Sequence, residues 1–161
     1  MPPDRPAQQT SRPLPPLVLD TNVLLDWLVF HDPSTAALDG AIRGGTRQWT
    51  ATQAMREELE QVLTRDHLLS RQTDPLFAMA TWDTWARIVA PTSIAQPGTL
   101  RCTDPDDQKF IDLALQLGAV LLSRDRAVLR LARAGRARGI DIMTAAAWAA
   151  LNPAHMLPIS G

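Results

Sequence analysis

Cysteine is almost absent from this chain, with Cys102 the single one in 161 residues. That excludes an intramolecular disulfide framework, and it fits a reducing, cytoplasmic compartment. Cys102 itself reads as a small, partly buried residue. Tyrosine is missing, and fifteen of the sixteen basic residues are arginine, leaving Lys109 as the lone lysine. The formal net charge is only -1, so no bulk electrostatic sign of tight nucleic-acid binding exists. No apolar run approaches the ~20 residues a membrane helix requires. Residues 1–16 are proline-rich and lack the apolar segment of a secretory signal, so a disordered tail is expected there. His31, His67 and His155 are scattered without zinc-ligand spacing, so a zinc site is not expected.

What is present fits one soluble domain with a real core: 45% of residues are apolar and 20% charged. Leu17-Val18-Leu19 is a short apolar run suited to a buried strand. A helix is expected over 21–29, and a second one ends at Arg43 before Gly44-Gly45. Gln48-Trp49-Thr50 reads as a strand and 52–64 as a helix. Further helices are expected over 74–87, 104–118, 126–134 and 144–151. Strands fall at 88–89, 119–122 and 140–142. This alternation predicts an α/β domain over 17–151 with a central, mostly parallel sheet covered on both faces. Residues 152–161 read as an irregular tail. Trp27, Trp82 and Trp148 lie in apolar helical patterns and are expected in the core; Trp49 and Trp85 are not decided by pattern.

Four separated acidic stretches carry the chemistry. Asp20 ends the first strand, where such sheets place their sites. It could equally be a helix N-cap, a role open also to Thr21 or Asn22. Glu58 lies inside the apolar stripe Ala51, Ala54, Met55, Leu59, Val62, where a lone carboxylate is costly unless paired. Asp104-Pro105-Asp106-Asp107 is a helix start. Asp107 shares a face with Phe110, Ile111 and Ala114 and should point inward, with Asp104 close to that face and Asp106 turned to solvent. Asp125 follows the strand at 119–122, with Ser123 adding a hydroxyl, and it too could simply cap a helix. Carboxylates gathered in one crevice repel unless a cation joins them. A hard divalent metal with oxygen ligands is the natural partner, and phosphodiester cleavage the natural chemistry.

The motifs Val18-Leu19-Asp20-Thr21-Asn22-Val23-Leu24, Glu58-Leu59-Glu60-Gln61-Val62-Leu63, Asp104-Pro105-Asp106-Asp107-Gln108-Lys109-Phe110 and Ser123-Arg124-Asp125-Arg126 resemble the PIN domain, a family of metal-dependent nucleases. The resemblance spans roughly 17–151 and is closest to the bacterial subgroup of toxin–antitoxin toxin components. It implies a Rossmann-like three-layer α/β/α fold and an endoribonuclease using Mg²⁺ or Mn²⁺. It places the family's acids on Asp20, Glu58, Asp107 and Asp125, with Asp104 auxiliary and Asn22 and Ser123 at common polar positions. It implies RNA as substrate and an antitoxin protein as partner, and homodimers are common in the family. Arg124 stands where many members have Gly, and Arg126 where Lys is frequent. Arg124, Arg126, Arg130 and Arg133 could form a basic rim for RNA, because the guanidinium fork suits phosphate; a merely solvated helix face is the alternative. Two other readings compete. One is a non-catalytic interaction module in which the acids are only caps. The other is a haloacid dehalogenase-type phosphatase, which needs an Asp where this chain has Asn22.

Overall fold

A computed structural model describes residues 13–65, 74–92 and 100–152. The apolar run is β1 (Pro16–Leu19), and Leu17 and Val18 are fully buried. A strand buried on both faces reads as a continuous apolar segment rather than an alternating one. Pro16 occupies the first strand position, where a missing N–H is tolerated. Next come α1 (Thr21–Leu28), a 3-10 turn (Pro33–Thr35), α2 (Ala36–Arg43), β2 (Gln48–Ala51) and α3 (Gln53–Leu63). Then follow α4 (Pro75–Trp85), the two-residue β3 (Arg87–Ile88), a second 3-10 turn (Pro105–Asp107) and α5 (Gln108–Leu117). The chain continues through β4 (Val120–Leu122), α6 (Arg126–Leu129), α7 (Ala132–Ala137), β5 (Asp141–Met143) and α8 (Ala145–Leu151).

The five strands form one sheet in the order β3-β2-β1-β4-β5. Every pair is parallel, and helices cover the sheet in a three-layer α/β arrangement. β1 lies at the centre. Its register sets Leu17, Val18 and Leu19 opposite Val120, Leu121 and Leu122. The chain builds outward from β1 to β2 and β3, then returns to lay β4 and β5 on the other side. The gap beyond the carboxyl ends of β1 and β4 is therefore a topological switch point, where open parallel sheets bind ligands.

Capping and apolar spacing explain the helices. Asp20 caps α1, whose Val23, Leu24, Trp27 and Leu28 are buried. Thr52 caps α3, which buries Met55, Leu59 and Val62 at helical spacing. Gly118 ends α5 with φ 63°, a left-handed conformation that a Cβ would oppose. Gly135 lets α7 approach β5, since a Cβ there would stand 3.0 Å from Ile140 Cγ1. Trp49 is fully buried, packed edge-on between Trp27 and Trp82 with ring centroids 5.3 and 4.9 Å away. Trp85 is half-buried beneath the Arg43 guanidinium.

Most elements match the sequence reading to within two residues. Two differ. The helix expected over 104–118 opens as a 3-10 turn, because Asp104 closes a tight loop by accepting from the Asp106 amide. The helix expected over 126–134 breaks after Leu129 into α6 and α7, so Arg126, Arg130 and Arg133 do not share one continuous helical face. The expected tails, 1–16 and 152–161, fall largely outside the described residues, as do His67 and His155. Among the described residues no helix is long and apolar enough to cross a membrane.

Candidate metal centre

At the switch point β1 delivers Asp20 and β4 delivers Ser123 and Asp125. Asp20 is 2% exposed. Its Oδ1 accepts from the Val23 amide at 3.0 Å, and its Oδ2 accepts from the Ser123 hydroxyl. The N-cap reading of Asp20 is therefore correct as far as one oxygen goes, and the other oxygen faces β4. Burial pushes the Asp20 carboxyl above its ordinary pKa; Ser123 and the local amides oppose that rise. Ser123 is fully buried, and the same hydroxyl oxygen accepts from the Asp125 amide at 3.0 Å. One serine thus fixes two acids that are 105 residues apart in the chain.

The second 3-10 turn brings in the remaining aspartates. One carboxylate oxygen each from Asp104, Asp107 and Asp125 lies within 4.8 Å of the others. At an effective dielectric near 20, each such pair of charges repels by roughly 3 kcal/mol. Asp107 bears the consequence. Burial, then the charges of Asp125, Asp104 and Asp20, raise its pKa to about 7. Its Oδ2 is buried with no hydrogen-bond donor among the described residues. A proton or a cation must relieve that atom. Three converging carboxylates and no soft ligand fit a hard divalent ion, so these residues fit a metal. Cys102 stands close by, and burial first, then the same carboxylates, push its thiol up.

Residues 16–127 match the PIN domain family. The chain belongs to it. PIN domains are, as a family, metal-dependent nucleases that bind divalent ions. No curated protein matches the chain.

In this PIN domain Glu58 and Asp107 both line a cleft of about 420 Å³, together with Asp20, Asn22 and Asp106. Both Glu58 oxygens are engaged. Oε2 accepts from the Thr21 hydroxyl, and Oε1 pairs with Lys109 at 2.5 Å. Sequence reasoning missed Lys109 and Thr21, although each lies within two residues of a predicted acid. It turned Asp106 wholly to solvent; Asp106 is exposed, yet it forms part of the cleft. Asn22 is exposed at the cleft, as expected of a polar position. Arg124 is exposed and pairs with Asp26 at 2.9 Å. Arg126 on α6, Arg130 just after it and Arg133 on α7 are exposed and are not among the residues lining the cleft.

Proposed function

We propose that this PIN domain is a Mg²⁺- or Mn²⁺-dependent endoribonuclease acting as the toxin of a bacterial toxin–antitoxin pair. The observation that carries the metal part is the buried, donor-less Oδ2 of Asp107 at the meeting point of three aspartates. The RNA and toxin parts are supported by the resemblance of the four motifs.

Asp104, Asp107 and Asp125 would hold the ion. The chemistry such an ion would supply when bound is acidification of a water and neutralisation of charge on the phosphate. Asp20 would act through Ser123, fixing the Asp125 loop. Glu58, also lining the cleft, would accept a hydrogen bond from the attacking water once it turns from Lys109. Lys109 holds Glu58 in place until then and tempers the negative field. Asn22, exposed at the cleft mouth, can donate to a phosphate oxygen. Arg124, Arg126, Arg130 and Arg133 would meet RNA outside the cleft. The phosphatase reading lacks its acid/base, since Asn22 occupies that position. The module reading leaves the strained Asp107 carboxylate without a purpose.

The test is cleavage of single-stranded RNA, structured RNA and DNA with Mg²⁺, Mn²⁺ or EDTA. Metal-dependent RNA cleavage abolished by Asp107→Asn is expected. Activity that survives both chelation and that substitution would refute the reading. Growth arrest on expression, relieved by the product of a neighbouring gene, tests the toxin role.

A further inference from the structure

We infer that Arg65 is the phosphate-binding residue of this cleft, gripping an RNA phosphate that flanks the one being cut; the inference rests on the nuclease reading above. A cleft walled by Asp20, Glu58 and Asp107 repels a polyanion. A metal at the three aspartates offsets charge only at its own end, so the far end needs a fixed cation. Arg65 is the arginine that lines this cleft.

Its availability is the second argument. Arg43, Arg56, Arg124 and Arg136 each face a carboxylate, and Lys109 is taken by Glu58. Arg65 is exposed and has no carboxylate partner among the described residues. A guanidinium with no carboxylate partner among the described residues, lining the same cleft as the acids, is poised for an anion from outside, and its planar fork matches phosphate.

The third argument is position. Glu58, Gln61 and Val62 stand at i, i+3 and i+4 along α3, and Arg65 continues that line at i+7. The chain tightens just past the helix, where the Arg65 amide donates to the Val62 carbonyl at 3.1 Å. Arg65 therefore stands about 10 Å along the helix direction from Glu58. A backbone spacing of that order suits a phosphate neighbouring the one at Glu58 along a single strand. Gln61, between them, offers an uncharged amide that a sugar or base edge can use. A carboxylate at one end of a helix face and a guanidinium at the other give the strand a direction through the cleft.

The experiment pairs Arg65→Ala with substrates in which one phosphate at a time, on either side of the cut, is a neutral methylphosphonate. Cleavage kinetics and fluorescence anisotropy are read with metal saturating. Arg65→Ala should raise KM and weaken binding about tenfold, with a smaller change in kcat, and Arg65→Lys should recover part of the loss. One flanking methylphosphonate should weaken wild-type binding by a similar factor and Arg65→Ala no further. Losses that add at every position, or a fall in kcat alone, would overturn the assignment. Wild-type protein that cleaves and binds no RNA would instead refute the nuclease reading on which it rests.

Discussion

Ser123 donates its hydroxyl proton to Asp20 and, through the same oxygen, accepts the backbone amide of Asp125. This contact ties the end of β1 to the end of β4, beneath the acids that would hold an ion. Replacing Ser123 with Ala leaves a buried Asp20 oxygen without its donor. That should cost about 1–3 kcal/mol of stability, read as a lower midpoint in urea unfolding. The Asp20 carboxyl, already raised, would rise further. The loss should therefore be greatest at high pH, where that buried acid is forced to ionise.

Asp107 gives a pH signature. Its folded pKa, about 7, lies above the ordinary carboxylate value. The folded state keeps a proton that the unfolded chain has released. Its contribution to stability is full below about pH 4 and is lost as pH rises to about 7. Metal-free wild type should thus lose stability across that window relative to Asp107→Asn. Divalent metal binding near pH 6 should release close to one proton. Calorimetry in buffers of different ionisation enthalpy measures it, and a proton count of zero would contradict the assignment of Asp107 as a ligand.

Substituting Asp104, Asp107 or Asp125 with Asn should lower metal affinity and, if the nuclease reading holds, reduce cleavage about 100-fold or more. None should lower metal-free thermal stability through lost charge, because each removes a repulsion. Of the three, Asp104 and Asp125 also cap turns, a role that Asn preserves. The measurement is a thermal melt with and without Mg²⁺. A melting temperature that responds to metal in wild type and in none of the three variants is expected.

Lys109→Met separates the ion pair from the metal site. The pair is partly exposed, so its loss should cost under about 1 kcal/mol. Removing a cation beside the aspartates should tighten divalent binding several-fold, read by titration calorimetry. Weakened binding would show that Lys109 supports the acids by packing rather than opposing the ion by charge.

Trp49 predicts the behaviour of the core. Its ring, borne on β2, packs against Trp27 of α1 and Trp82 of α4. Trp49→Ala should cost about 3–5 kcal/mol, a large share of a typical domain's ~5–15 kcal/mol. Trp49→Phe should recover much of it, as followed by chemical unfolding.

Much of this was legible in the sequence because local physics decides it. The run Leu17-Val18-Leu19 is a buried strand whatever surrounds it, and Met55, Leu59 and Val62 mark a helix face by spacing alone. The dual role of Asp20, cap and site residue, was visible as two alternatives because one carboxylate has two oxygens. Trp49 was undecided because a two-sided strand gives no periodicity to read. The pairing of Glu58 with Lys109 was hidden, since the 3-10 turn at Pro105–Asp107 redirects a residue that an ideal helix would aim at water. Arg65 escaped notice because it lies past the end of α3, where helical spacing is no longer assumed.

The central strand receives β2 early but β4 only after about 120 residues have been made. A nascent chain still short of Ser123 has the first aspartate and the glutamate but neither that serine nor the third carboxylate of the cluster. The tie between β1 and β4, and with it the complete aspartate cluster, can therefore form only after translation has passed Asp125.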